Sequence, residues 1–136
     1  MVFDEGRNRA VGEEIAGRRA ALAAQMTELQ FRRAAGLRES LGAEGVAKSL
    51  RDAEFNLQFL SEAIESGDPQ SFTAYLVWLD GVLAGAGLSR SVLDGHLDCM
   101  LEVLSEEPGE VARDLAASYI RTGIAGLGSS RMDARP

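Results

Sequence analysis

The chain has 136 residues, 46% of them apolar, 6% aromatic and 26% charged, with a net charge of −7. That length encloses about one core, and the mixture excludes wholesale disorder. The charge is uneven: residues 1–51 hold nine Lys/Arg against seven Asp/Glu, and residues 52–136 hold five against fourteen, so +2 and −9. With Glu13, Glu14 and Glu28 interrupting the pairs Arg18-Arg19 and Arg32-Arg33, this distribution argues against a nucleic-acid partner, which needs clustered cations.

Ala- and Leu-rich composition and only three prolines favour helices throughout. The spacing predicts an all-α fold: a single compact bundle of five or six helices over residues 9–127, with loose termini at 1–8 and 128–136. From Arg9 to about Phe31 a seam of Val11, Ile15, Leu22, Met26 and Leu29 predicts one long helix, followed by a shorter one to Leu41. Gly12, Gly17 and Gly36 each weaken it by about 1 kcal/mol relative to Ala and invite a bend. So narrow a seam points to packing on another helix, of the same domain or of a second copy. Self-association or a protein partner through residues 9–31 is therefore expected. Gly42 to Gly45 is read as punctuation.

Val46, Leu50, Ala53, Leu57, Leu60 and Ile64 then form a stripe at helical period, predicting a helix over 46–66. Phe55 and Phe59 make a second stripe, expected to pack on the N-terminal helices. Gly67 stops this helix, and Asp68 with Pro69 restarts the chain as an N-cap and first-turn proline. The next helix, to about Ala84, carries Phe72, Tyr75, Leu76, Leu79 and Leu83, broadened by Val77, Trp78 and Val82. So short a turn predicts a central antiparallel hairpin. After Gly85-Ala86-Gly87, Ser89 opens a helix over 89–105 with Val92, Leu93, Leu97, Met100, Leu101 and Leu104 on one face. The last helix starts near Pro108 and places Val111, Leu115, Ile120 or Tyr119, and Ile124 inward.

No complete catalytic or metal-binding set is present. Cys99 is the only cysteine, which excludes an internal disulfide and a cysteine-rich metal site and fits a reducing compartment. No apolar leader and no run of eighteen apolar residues occurs, so no membrane partner and a cytoplasmic location are expected. His96, the only histidine, lies beside the apolar face of its helix and offers a base, a phosphoacceptor or an axial ligand. Asp94, Asp98 or Asp52 would be its carboxylate in a small helical enzyme, and Cys99 lies three residues on. Asp52 and Asn56, four apart, put hydrogen-bonding groups at a helix edge. Asp52, Asn56, Trp78 and His96 are the candidate ligand-binding residues.

The order Asp52, Phe55, Asn56, Leu57, Phe59, Leu60, Ala63, Ile64, then Asp68, Pro69, Phe72, Tyr75 and Trp78 resembles a helical segment of some bacterial sensory and regulatory proteins. In those proteins the segment precedes a cobalamin-binding or signalling domain. The resemblance spans about residues 31–104, and that family carries a histidine where this chain has Asn56. It implies a stand-alone regulatory module, with no cobalamin-binding domain following. The expected function is a non-enzymatic regulatory or sensory module acting by protein–protein interaction, with a homodimer among the expected assemblies and no cofactor. The alternative is a domain that senses a small molecule or tetrapyrrole in a pocket between the 46–84 hairpin and the 89–105 helix.

Overall fold

The computed structural model describes residues 4–128, which form six α-helices and no strand among the described residues. They are α1 (Glu5–Gly17), α2 (Arg19–Arg33), α3 (Leu37–Ser66), α4 (Pro69–Gly85), α5 (Arg90–Leu104) and α6 (Glu110–Leu127). α3 packs against α1, α2, α4 and α6, while α5 is held by α2, α4 and α6. No helix among the described residues is long and apolar enough to cross a membrane.

The N-terminal third departs most from expectation. The lead-in expected over 1–8 is already helical from Glu5, because the Asp4 side chain accepts from Arg7 N at 2.9 Å and caps the helix. Residues 1–3 and 129–136 of the expected loose termini lie outside the described residues. The single helix expected to Phe31 is two, redirected at Arg18 (φ −106, ψ 11), and the second continues to Arg33. The punctuation at residues 42–45 is a kink inside α3, at Gly42 (φ 70, ψ 178), a conformation that glycine adopts without strain. Gly12 is no weak point. It marks the close crossing of α1 over α3, where a Cβ would stand 2.7 Å from the Ser61 carbonyl oxygen.

The core joins Val11 and Ile15, Leu22 and Met26, Leu57, Leu60 and Ile64, Phe72 and Leu76, and Leu97, Met100 and Ile120. The apolar seam of residues 9–31 is thus engaged in the chain's own interior. Ser66 is followed by Gly67 in the left-handed region (φ 67), and the Asp68 carboxylate accepts from Gln70 N at 3.2 Å ahead of Pro69, as expected.

Several expected core positions prove otherwise. Val46 and Leu50 are only half-buried, since α1 and α2 cover the later part of α3. Phe55 and Phe59 face solvent instead of packing on the N-terminal helices. Val77, Trp78 and Val82 also point outward, as does Val92. On α6 Tyr119 and Ile120 are buried and Leu115 and Ile124 pack half-buried against the core, as expected, but Val111 is exposed and small residues, Ala112, Ala116 and Gly123, complete the buried face. Close approach explains these small residues. A Cβ on Gly123 would come within 2.6 Å of Leu76 Cδ1, so the α4–α6 contact selects small side chains over large apolar ones.

Candidate functional site

Two of the four candidate residues meet. Asn56 on α3 is buried among apolar neighbours, and its amide Nδ2 lies 2.7 Å from Nε2 of His96 on α5. Tyr75 on α4, which the spacing placed with the core aromatics, completes the group by donating its hydroxyl to Asn56 Oδ1. Three helices are therefore tied by one side-chain chain, from Tyr75 through Asn56 to His96.

The orientation of the Asn56 amide sets the direction of each bond. Burial, and secondarily the Asp52 carboxylate, push the Tyr75 hydroxyl up to about 12, so it remains a donor at ordinary pH. Asn56 Oδ1 then faces Tyr75, its Nδ2 faces His96, and Nε2 must present its lone pair. His96 is consequently neutral with its proton on Nδ1. Burial pushes its imidazole from 6.5 down to about 4, against the opposing pull of Asp52. Asp52 thus acts here as a field from the rim: it is exposed, and its carboxylate bonds Lys48 Nζ at 3.0 Å.

This arrangement is closed on itself. A general base or an axial ligand needs the Nε2 lone pair that Asn56 occupies. Asp94 and Asp98 are exposed, and the side-chain partner of His96 Nε2 is Asn56. Trp78, the fourth candidate, does not join the group and is 62% exposed. The side of Tyr75 away from Asn56 instead stacks on Phe59, with ring centroids 4.0 Å apart and 11° between planes, and its ring lies 5.9 Å from that of Trp78. Phe55, 56% exposed, extends this surface one turn back along α3, and Val82, 48% exposed, extends it along α4. The result is an aromatic ledge across α3 and α4, with the polar chain beneath it.

Other side chains tie the bundle in ways that the spacing gave no means to find. Glu107 is buried at the α5–α6 turn; its Oε2 accepts from Arg18 at the α1–α2 junction, and its Oε1 has no hydrogen-bond partner. Asp80, also buried, receives a two-pronged Arg90 guanidinium at 3.0 and 2.8 Å. Asn8 donates to the Ile64 carbonyl oxygen at 2.9 Å, tying α1 to the end of α3. Cys99 is buried, with Arg33 Nη1 3.8 Å from its sulfur, and burial raises its thiol. His96 and Cys99 belong to no group of three or more potential metal ligands among the described residues.

Two surface grooves stand apart from His96. One, about 460 Å³, lies between α2 and α5 and is lined by Glu28, Arg32, Glu102 and Glu106. The other, about 430 Å³, follows the kink of α3 along Ala43, Val46, Ala47 and Leu50. Comparison with protein-family models, with curated proteins and with solved structures finds no match.

Proposed function

We propose that this chain is a non-enzymatic regulatory or sensory module that acts by protein–protein interaction, and that its docking face is the aromatic ledge of α3 and α4. The carrying observation is the exposure of Phe55 (56%), Phe59 (41%) and Trp78 (62%) beside exposed Val77 and Val82, which gathers the exposed aromatic rings of the described residues on one face. A continuous apolar patch of this kind is characteristic of interaction sites, and aromatic rings supply most of the binding energy at protein interfaces. The polar chain under the ledge holds Tyr75, and with it Phe59, in a fixed orientation, so the face is preorganised. The tetrapyrrole-sensing alternative has less support, because Asn56 already takes the His96 lone pair and Trp78 stands in solvent.

Photo-cross-linking in the producing cell tests this reading. A benzoylphenylalanine placed at Trp78 or Val82 should yield discrete protein adducts, and one placed at exposed Glu13 on α1 should not. Absence of adducts at the ledge, or equal labelling at Glu13, would overturn it.

A further inference from the structure

The exposed stripe of α3 carries a charge order that selects among possible partners. Arg51, Phe55, Phe59 and Glu62 follow one another at intervals of four, four and three residues, so they share one helix face, and all four are exposed. Lys48 lies one turn before Arg51. The stripe is therefore basic at its start, aromatic at its centre and acidic at its end. Neither Arg51 nor Glu62 has an ion-pair partner among the described residues, although Lys48 engages Asp52 and Arg19 engages Glu54.

This order is self-complementary. The midpoint between Phe55 and Phe59 is level with Leu57, and the midpoint between Arg51 and Glu62 falls half a residue earlier. A two-fold axis at that level lays α3 antiparallel on α3 of a second copy. It sets Phe55 of each copy against Phe59 of the other, and Arg51 of each against Glu62 of the other. Such an isologous contact repeats every favourable pair twice. The flank along α4 adds no repulsion: Ala74, Val77, Trp78, Gly81 and Val82 are exposed there, and the only charged residue of α4, Asp80, is buried against Arg90. A cationic helix, which the net charge of −7 would attract from a distance, would meet Lys48 and Arg51 at the head of the stripe.

We infer that the ledge docks a second copy of this chain, with α3 antiparallel to α3 about Leu57 and cross-copy pairs between Arg51 and Glu62. This rests on the ledge being an interaction face and names its occupant. Sedimentation equilibrium of the full chain over a wide concentration range provides the test, with circular dichroism as the control for folding. The expected result is a monomer–dimer equilibrium. Arg51→Glu and Glu62→Arg should each weaken the dimer roughly tenfold, by setting like charges face to face. The double variant Arg51→Glu/Glu62→Arg should recover dimerisation to within about threefold, because the pairs re-form with reversed sign. Phe55→Ser with Phe59→Ser should abolish it.

A wild-type chain that stays monomeric at every concentration overturns the inference, as does a double charge variant no tighter than its singles. If the chain is monomeric while cross-links at Trp78 go to a different protein, the second copy is excluded and the interaction reading stands. If Trp78 gives no adduct at all, both fall.

Discussion

Within α3, two apolar stripes run side by side and meet opposite fates. Ala53, Leu57, Leu60 and Ile64 are essentially inaccessible, whereas Phe55 and Phe59, which alternate with them, are 56% and 41% exposed. Both stripes have helical period and both are strongly apolar. What separates them is which helices the rest of the chain supplies: α1, α2 and α6 pack on α3 over the first, while along the second Phe59 stacks on Tyr75 of α4 and both phenylalanines stay exposed. Periodicity thus identifies a face that favours burial, but whether burial is intramolecular depends on the number and placement of the remaining helices.

The difference should be largest in stability. Leu60→Ala removes a fully buried side chain at the centre of the core and should cost about 3 kcal/mol, within the range for cavities that collapse incompletely. Urea unfolding followed by far-ultraviolet circular dichroism measures this directly. A loss under about 1 kcal/mol would mean that the inner stripe is much less tightly enclosed than its accessibility indicates.

Next in size is the pH response of the polar chain that separates the core from the ledge. The folded pKa of His96, about 4, lies below its ordinary 6.5, so the folded state binds fewer protons than the unfolded chain between these values. Its contribution to stability is complete above about pH 6.5, is lost as pH falls, and is gone below about pH 4. Between pH 7.5 and 4.5 the wild type should lose about 2 to 3 kcal/mol more than His96→Gln, which cannot titrate. Taking the difference between the two proteins cancels the carboxylates that titrate in both. Protonation also puts an Nε2 donor against the Asn56 amide donor, so the amide must turn over or the bond must break. Equal pH dependence in the two proteins would show that His96 is solvated in the folded state.

A smaller effect with an informative sign separates two glycines of the same helix. By helix propensity alone, alanine at either Gly12 or Gly17 should stabilise α1. Gly12, however, has the Ser61 carbonyl oxygen 2.7 Å from where its Cβ would stand, while Gly17 has no atom within 4 Å. Gly12→Ala should therefore destabilise by about 1 to 3 kcal/mol, and Gly17→Ala should stabilise by up to about 1 kcal/mol. Denaturation midpoints of the two single variants would decide it; a gain at Gly12 would mean that α1 can lift from α3 at little cost.

These positions also show what could be read from the chain alone. Helix class, the Asp68-Pro69 restart and the inward Leu93, Leu97, Met100 and Leu104 of α5 follow from local chemistry and period, and the fold bears them out, while Val92 of the same expected face is exposed. Asn56 could be named as a candidate from its place four residues after Asp52 at a helix edge, and His96 as the only histidine, beside an apolar face. Their meeting across forty positions is a tertiary fact that no spacing encodes. For Tyr75 the spacing favours a core aromatic over a pocket-lining residue and gives no sign of its hydrogen bond, because the spacing registers the ring alone and not the hydroxyl. The Arg18–Glu107 tie, between a helix junction and a distant turn, left no local signal at all. On α6 the period points Tyr119, Ile120, Leu115 and Ile124 toward the core, but it carries no sign that Val111 stays exposed or that the close crossing on α4 requires Gly123.

The smallest expected effect is the most discriminating for the ledge. Phe55→Ser removes a ring that is 56% exposed and has no aromatic partner among the described residues, so the isolated monomer should change stability by no more than about 0.5 kcal/mol. The same substitution acts on a dimer through mass action, because only the folded, associated chain contains the Phe55–Phe59 contact. Unfolding midpoints of the wild type should therefore rise with protein concentration, and those of Phe55→Ser should not. At low concentration the two proteins should coincide; at high concentration they should separate, with the wild type the more stable. A Phe55→Ser deficit that is large and independent of concentration would place this ring in the chain's own core, and the contrast between the two stripes of α3 would disappear.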